Sequence, residues 1–153
     1  MALRQIRIEG DEILRKHARK VEEITPKIKE LVEDMIETMY DANGVGLAAP
    51  QIGVLKRIVI IDVGEGPIVM INPEIIERAG EQEGVEGCLS VPGKSGIVKR
   101  PNYVKAQAMN EKGEVFTVEG EELLARAICH ELDHLDGRLY IDIAQEMVEY
   151  DQE

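Results

Sequence analysis

Apolar side chains recur every three or four residues between Thr25 and Gly44, which is the spacing of one face of a helix. Thr25 followed by Pro26 is typical of a helix start, because threonine caps free N–H groups and proline suits the first helical position. Asn43-Gly44 is typical of a helix end. The pattern predicts an amphipathic helix whose buried face is formed by Ile28, Leu31, Val32, Met35, Ile36 and Met39.

Two short segments further along have the composition of buried strands. Residues 57–63 are rich in isoleucine and valine and predict one strand. Residues 68–71 predict its neighbour, after a turn at residues 64–67. Asn72-Pro73 follows, and we expect the second strand to end or bend there.

The segment from residue 80 to residue 96 is rich in glycine and glutamate and has little periodicity. It predicts a loop, with a short extended piece at residues 88–91. A loop of this length inside a small domain is usually functional.

Residues 97–108 and 114–118 predict an antiparallel hairpin closed by a turn at residues 110–113. The evidence is the alternation of apolar and polar residues, with apolar side chains at Val104, Ala106 and Ala108.

A last helix is predicted from about Glu121 to Asp136, ending at Gly137. Strands and helices do not alternate as repeated βαβ units, which argues against a doubly wound fold. We therefore expect an α+β fold, with small antiparallel or mixed β-sheets packed around this central helix.

The composition suits a single domain spanning residues 1–153, since 44% of the chain is hydrophobic. No apolar run is long enough to cross a bilayer and no secretory signal is recognisable, so we expect a cytoplasmic protein. The net charge of −12 disfavours binding to DNA or to anionic membranes.

The last helix contains the sequence His130-Glu131-Leu132-Asp133-His134. Residues four apart lie on one face of a helix, so His130 and His134 can bind one metal ion while Glu131 approaches a water molecule. Leu123 and Ala127 share that face, which places an apolar wall beside the metal. The sequence predicts a metal-dependent hydrolase.

Two imidazoles leave a catalytic site one protein ligand short. The peptidase motif that supplies a third histidine requires it at position 140, where this chain has Tyr140. Glu146 and Glu149 lie too close in sequence for a separate ligand-bearing helix. Cys88 lies in the glycine-rich segment and can approach the helix, whereas Cys129 points about 100° away from His130.

Two alternative functions make different demands on these residues. A small zinc endopeptidase would take a different third ligand. A structural zinc domain would use both cysteines and both histidines, and it would leave Glu131 without a role.

Three segments together resemble the signature motifs of the peptide deformylases. They are residues 44–51, Gly-Val-Gly-Leu-Ala-Ala-Pro-Gln, residues 86–90, Glu-Gly-Cys-Leu-Ser, and residues 130–134. The resemblance covers nearly the whole chain. It implies hydrolytic removal of the formyl group from the N-formylmethionine of nascent polypeptides, which releases formate.

The resemblance also implies roles for individual residues. Cys88, His130 and His134 would bind the metal, and Glu131 would act as general base and then as general acid. Gln51 and the backbone N–H of Leu89 would stabilise the oxyanion.

Substrate contacts are predicted for a further group of residues. The resemblance implies that Val45 and Gly46 bind the peptide backbone, and that Arg100 matches a basic residue kept after the second motif. The helix pattern places Leu123 and Ala127 beside a pocket for an unbranched side chain such as methionine, with Val45 opposite.

One divalent metal ion per chain is expected. Two nitrogens and one thiolate suit Zn²⁺ or Fe²⁺. The resemblance implies Fe²⁺ as the physiological ion, with Zn²⁺, Ni²⁺ or Co²⁺ as substitutes. Residues 145–153 carry no lysine or arginine, so any transient ribosome contact is expected to use another surface.

Overall fold

The computed structural model describes residues 2–149 and has two α-helices and two antiparallel β-sheets. The five-stranded sheet has the order β1-β2-β3-β6-β7, and the three-stranded sheet has the order β4-β5-β8. This arrangement confirms the predicted α+β class. The helices are α1 (Pro26–Asp41) and α2 (Leu123–Leu135), and the strands are β1 (Gly46–Ala48), β2 (Ile58–Ile61), β3 (Ile68–Ala79), β4 (Gln82–Cys88), β5 (Val91–Arg100), β6 (Tyr103–Met109), β7 (Val115–Glu121) and β8 (Glu146–Glu149).

Helix α1 forms as its sequence predicts. The hydroxyl of Thr25 accepts a hydrogen bond from the N–H of Ile28, and Pro26 occupies the first turn. Its apolar stripe packs against β1 and β2 in a common core cluster, where Met35 and Met39 are completely buried. The only member of the predicted stripe that is not fully buried is Ile36.

Strand β3 bends at Asn72 and continues to Ala79. Asn72 has a positive φ of 53°, and the pairing with β6 shifts register between Ile71 and Glu74. The side chain of Asn72 exchanges two hydrogen bonds with the backbone of Val21, which stabilises the bend. Of the two predicted outcomes, ending or bending, bending is therefore confirmed.

The predicted loop at residues 80–96 is wrong, because β4 and β5 form a hairpin there with only Leu89 and Ser90 at its turn. Two glycines in this region, Gly84 and Gly96, lie within strands at close approaches to other elements. A Cβ on Gly84 would lie 2.9 Å from the guanidinium of Arg126, and one on Gly96 would lie 2.9 Å from the Cβ of Ala144.

The predicted hairpin at residues 97–118 is correct in its second part only. Residues 97–100 belong to β5, and the hairpin consists of β6 and β7, with Val104, Ala106 and Ala108 buried as expected. The residues that separate β5 from β6 are Pro101 and Asn102, and proline cannot extend the ladder.

Helix α2 lies between the two sheets. It contacts β1, β2, β6 and β7 of the larger sheet and β5 of the smaller one. It begins two residues later than predicted because β7 extends to Glu121 and Glu122 has a positive φ of 53°. The central position of this helix buries His130 and His134.

Gly137 follows Asp136, the C-cap residue of α2, and has a φ of +75°. A Cβ there would overlap the backbone carbonyl of Arg15. We expect Gly137→Ala to lower the free energy of unfolding by more than the ~1–2 kcal/mol that left-handed backbone alone costs. Urea denaturation checks this, with Gly113→Ala as the control.

The control has the same backbone strain without the overlap, because Gly113 has a φ of +82° and its nearest neighbour would be 3.9 Å from the added Cβ. Equal destabilisation by the two substitutions would contradict a steric role for the contact with Arg15.

Within residues 2–149, no helix is both long enough and apolar enough to span a membrane. The single domain of residues 1–153 and the cytoplasmic location stay predictions. Residues 150–153, the last four of the C-terminal segment that lacks lysine and arginine, lie outside the described residues.

Candidate metal centre

Three side chains from two elements converge at one point. Cys88 ends β4, while His130 and His134 lie one turn apart on α2. One potential ligand atom from each lies within 4.8 Å of the other two. A sulfur and two imidazole nitrogens at this separation fit a divalent transition metal.

The hairpin turn determines the position of Cys88. Cys88 pairs with Val91, so Leu89 and Ser90 form a two-residue turn. The N–H of Ser90 donates to the sulfur at 3.4 Å, and Nε2 of Gln51 lies 3.6 Å from it. The sulfur is thereby aimed at α2, with Sγ 3.3 Å from Nε2 of His134.

Each histidine presents Nε2 to the cluster. Nδ1 of His130 lies 2.6 Å from Oε1 of Glu86, which leaves Nε2 as the free ligand atom. The two rings are edge to face with centroids 5.1 Å apart, and Tyr140 stacks on His130 at 6.0 Å. The ring of His130 is therefore held in one orientation, whereas Nδ1 of His134 is buried without a hydrogen-bond partner among the described residues.

The electrostatics of the cluster favour a cation. Burial lowers the pKa of His134 well below its usual value, so its imidazole is neutral and can act as a ligand. Burial also lowers the pKa of His130, but its hydrogen bonds with Cys88 and Glu86 outweigh that effect and raise it well above the usual value. The surroundings of His130 thus attract positive charge.

A network of charged side chains contacts His130 at Nδ1, on the side of the ring away from the other metal ligands. Glu86 accepts hydrogen bonds from the guanidinium groups of Arg100 and Arg126, and Arg100 also pairs with Asp133 at 2.7 Å. Burial raises the pKa of Glu86, but the hydrogen bonds from Arg100 and His130 outweigh it and lower the pKa to about 2. Glu86 therefore stays ionised and accepts from His130.

The position of Arg100 corrects the predicted substrate contact. Its side chain is 5% exposed, its guanidinium is taken up by Glu86 and Asp133, and it is absent from the lining of the cavity beside the metal ligands. The buried Glu86 and the partly buried Asp133 neutralise this cation, so it acts on the site through Glu86.

Glu131 lies beside the ligands and is buried. Burial raises its pKa to about 7. Among the described residues, Oε1 has no hydrogen-bond partner, which is costly unless a water molecule or substrate binds there. A Cβ on Gly46 would overlap this carboxylate, so a larger residue at position 46 would displace the side chain of Glu131.

Gln51 is 1% exposed and has a fixed orientation. Its Oε1 accepts from the N–H of Ala48 at 2.9 Å, which turns Nε2 toward Cys88 and Ser90. Gln51 lies on a 3₁₀-helix, Ala49–Ile52, that directly follows β1. The short connection brings an amide donor to the metal ligands.

A cavity of about 390 Å³ opens beside the cluster. Its lining contains all the predicted substrate-contacting residues except Arg100. Leu123 is half exposed, as expected at the entrance of the cavity, and Ala127 is buried, as expected for a residue in its wall. The lining residues are Asn43, Gly44, Val45, Gly46, Gln51, Val85, Glu86, Gly87, Cys88, Leu89, Leu123, Arg126, Ala127, His130 and Glu131.

Sequence reasoning missed the roles of Glu86 and Arg126. Glu86 begins the second motif, and Arg126 lies one turn before His130 on the same face of α2. Arg126 is a charged residue among the apolar residues of the first turns of α2, and this could have indicated a buried ionic partner.

Cys129 is separate from the metal ligands. It is not part of the group of potential ligands found among the described residues, and it packs in the core with Ile128 and Leu132. Burial raises the pKa of its thiol. A structural site with two cysteines and two histidines does not fit this geometry.

Comparisons with known proteins agree with the site. The family model described as polypeptide deformylase matches residues 3–149. A peptide deformylase of Agathobacter rectalis is 72% identical over 142 residues, which cover 93% of this chain and 90% of that relative.

Solved structures give the same result. A peptide deformylase from Legionella pneumophila superposes with a TM-score of 0.91 at 46% identity, covering 94% of this chain and 87% of that one. One from Thermotoga maritima has a TM-score of 0.92 at 42% identity, with 95% and 99% covered. The chain belongs to the polypeptide deformylase family, whose metal-dependent members remove the formyl group from the N-terminal formylmethionine of polypeptides.

Proposed function

We propose that this chain deformylates nascent peptides with one divalent ion held by Cys88, His130 and His134. The observation that carries the proposal is the convergence of these three ligand atoms within 4.8 Å beside Glu131. When bound, such an ion lowers the pKa of water and polarises the formyl carbonyl.

Glu131 is proposed as the general base and then the general acid. A pKa near 7 suits both tasks, because the carboxylate can accept a proton from water and return it to the departing amine. Glu131 lies against Gly46, which is itself proposed to bind the substrate backbone, and both residues line the cavity.

Gln51 and Leu89 are proposed to stabilise the oxyanion. Gln51 lines the cavity, and because Oε1 is held by Ala48, Nε2 is the atom beside Cys88 that would donate to an oxygen that becomes negative. The backbone N–H of Leu89 is the second donor, on the turn after Cys88. Removal of one such donor typically costs about 3–4 kcal/mol of transition-state stabilisation.

Val45 and Gly46 are proposed to bind the substrate backbone. Strand β1 is at the edge of its sheet, so an extended peptide can add to it as a further strand. Val45, directly before β1, is nearly half exposed at the cavity.

The methionine side chain is proposed to lie against Leu123 and Ala127. We expect Ala127→Trp to raise KM for formyl-Met peptides and reduce kcat/KM by at least about 10-fold, because the indole would fill the pocket. Metal content, measured by atomic emission, will be unchanged.

The control is Ala125→Trp, a position buried in the core on another face of α2. That change is expected to lower stability. Equal loss of metal and activity from Ala127→Trp would contradict the pocket.

Fe²⁺ is proposed as the physiological ion, with Zn²⁺, Ni²⁺ or Co²⁺ able to replace it. One thiolate and two imidazoles suit all four ions, and an accessible thiolate on Fe²⁺ is sensitive to oxidation. Purification without oxygen, followed by metal analysis and activity, identifies the resident ion.

The proposed partners are formylmethionyl nascent peptides, in the cytoplasm. A transient ribosome contact, if it forms, is proposed to use a surface other than residues 145–153, which lack basic residues. The net charge of −12 disfavours DNA and anionic membranes as partners.

The test is formate release from formyl-Met-Ala-Ser by anaerobically purified protein, beside casein as an endopeptidase substrate. We expect formate and no casein cleavage. Casein cleavage without formate would contradict the proposal and favour an endopeptidase.

A further inference from the structure

The N-terminal segment, residues 2–9, binds both loops that carry the proposed oxyanion donors. The N–H of Arg7 donates to the carbonyl of Gln51 at 2.6 Å, and the N–H of Glu9 donates to the carbonyl of Ser90 at 2.7 Å. Gln51 carries the side-chain donor, and Ser90 directly follows Leu89, which carries the backbone donor. One short segment therefore joins the two halves of the oxyanion site.

Backbone geometry sets the distance between these two bonds. In an extended chain, the N–H groups of residues i and i+2 point to the same side, about 7 Å apart. Arg7 and Glu9 have only Ile8 between them, so this distance is the upper limit for their N–H groups. The separation of the two carbonyls that accept from them is therefore limited by the backbone, with no flexible side chain in between.

The start of the segment is anchored on α1. Asp34 accepts hydrogen bonds from the N–H of Ala2 at 2.8 Å and from the guanidinium of Arg4. The hydroxyl of Thr38 accepts from the N–H of Arg4 at 3.0 Å. Asp34 and Thr38 are buried, so the anchor is part of the rigid body of the protein.

The side chain of Arg7 supports the same loop. Gly53 ends the 3₁₀-helix that carries Gln51, with a φ of +82°, and a Cβ there would lie 2.8 Å from Nη2 of Arg7. Nη1 of Arg7 also pairs with Asp11 at 3.0 Å. Arg7 thus contacts the Gln51 loop through both its backbone and its side chain.

We infer that the N-terminal segment is a positioning element for the reaction, in which the Arg7 and Glu9 N–H groups set the separation of the two oxyanion donors. The inference rests on the proposed function of Gln51 and Leu89. Neither bond is made by a metal ligand, so the segment acts mainly on the transition state. Because the N–H of Ser90 also donates to the sulfur of Cys88, metal content is measured in every variant.

Proline substitutions test the two bonds, because proline has no N–H. We expect Arg7→Pro and Glu9→Pro each to reduce kcat for formyl-Met-Ala-Ser by about 10- to 100-fold, the effect of a small misplacement of catalytic groups. KM and the metal content per folded chain will stay within about twofold. Glu9→Ala keeps the N–H and is the matched control, with kcat unchanged.

A double-mutant cycle separates positioning from general destabilisation. Gln51→Ala removes the donor that the Arg7 bond positions, so Arg7→Pro is expected to add almost nothing to the loss in that background. Glu9→Pro acts through Leu89 and will keep most of its effect, less the part that reaches Gln51 through its hydrogen bond to Ser90. Full additivity of both proline changes with Gln51→Ala, or unchanged kcat in both proline variants, would overturn the inference.

The proposed function and the inference fail in different ways. If Gln51→Ala alone leaves kcat unchanged, the oxyanion role itself is wrong, and the inference falls with it. Where the proline variants do not fold, Arg4→Ala releases the anchor at Asp34 and keeps both N–H groups. It is expected to lower kcat severalfold in the parent and by a smaller factor in the Gln51→Ala background, where only the effect through Leu89 remains. An unchanged kcat in the parent would overturn the inference.

Discussion

Replacement of Glu131 by glutamine will reduce kcat for formyl-Met-Ala-Ser by about 10²- to 10⁴-fold, the usual contribution of a general acid or base. The amide has nearly the same shape as the carboxylate and still fits against Gly46, but it cannot accept the proton from water. The two metal-binding histidines are unchanged, so metal content will remain that of the parent protein. Steady-state kinetics and atomic emission on the same sample measure both quantities.

Glu121→Gln is the matched control for this substitution. Glu121 ends β7 close to the start of α2, and its side chain is exposed. The same change of charge there is expected to leave kcat and metal content unchanged. A Glu131→Gln protein that retains parental activity, or that loses activity only in proportion to metal, would contradict the role of Glu131.

Replacement of Cys88 by serine will abolish metal retention and, with it, activity. Loss of a residue that merely orients a ligand costs about 10- to 100-fold in metal affinity, and loss of a ligand will exceed this. A serine hydroxyl is not deprotonated at neutral pH and is a poor ligand for a soft metal site. Metal content after dialysis and the rate of formate release provide the measurement.

Cys129→Ser is the same chemical change at the other cysteine. Cys129 is buried in the core beside Ile128, so a hydroxyl there is expected to lower stability by about 1–3 kcal/mol. Metal content per folded chain will be that of the parent. Loss of metal from both serine variants would contradict the assignment of Cys88 as the sole cysteine ligand.

Local patterns predicted the elements whose stability is determined locally. The helical spacing of Met35 and Met39 located α1, and the spacing of His130 and His134 located the metal-binding edge of α2. Both helices have one buried face, which a period of 3.6 residues reveals directly.

The β4-β5 hairpin was missed because its sequence lacks such a pattern. Gly84 and Gly96 are conventional markers of loops, but here each allows another element to approach a strand. The residues on either side of these glycines in the sequence do not show which distant residue packs against them. The information lies in Arg126 and Ala144, more than 40 residues away.

The same limitation explains the correction to Arg100. A basic residue after a motif is expected at the surface or at a substrate, and local sequence does not distinguish the two. Its partners are Glu86 and Asp133, which are 14 and 33 residues distant in the chain. Only the tertiary structure shows that the charge is already neutralised.

The ligands of the bound metal provide the most direct test of the central claim. X-ray absorption fine structure of the metal-loaded protein will show one sulfur and two nitrogen ligands from the protein, and Cys129→Ser, which retains the metal, will show the same set. Two sulfur ligands in the parent, or loss of the sulfur contribution in Cys129→Ser, would contradict a catalytic site built from Cys88, His130 and His134.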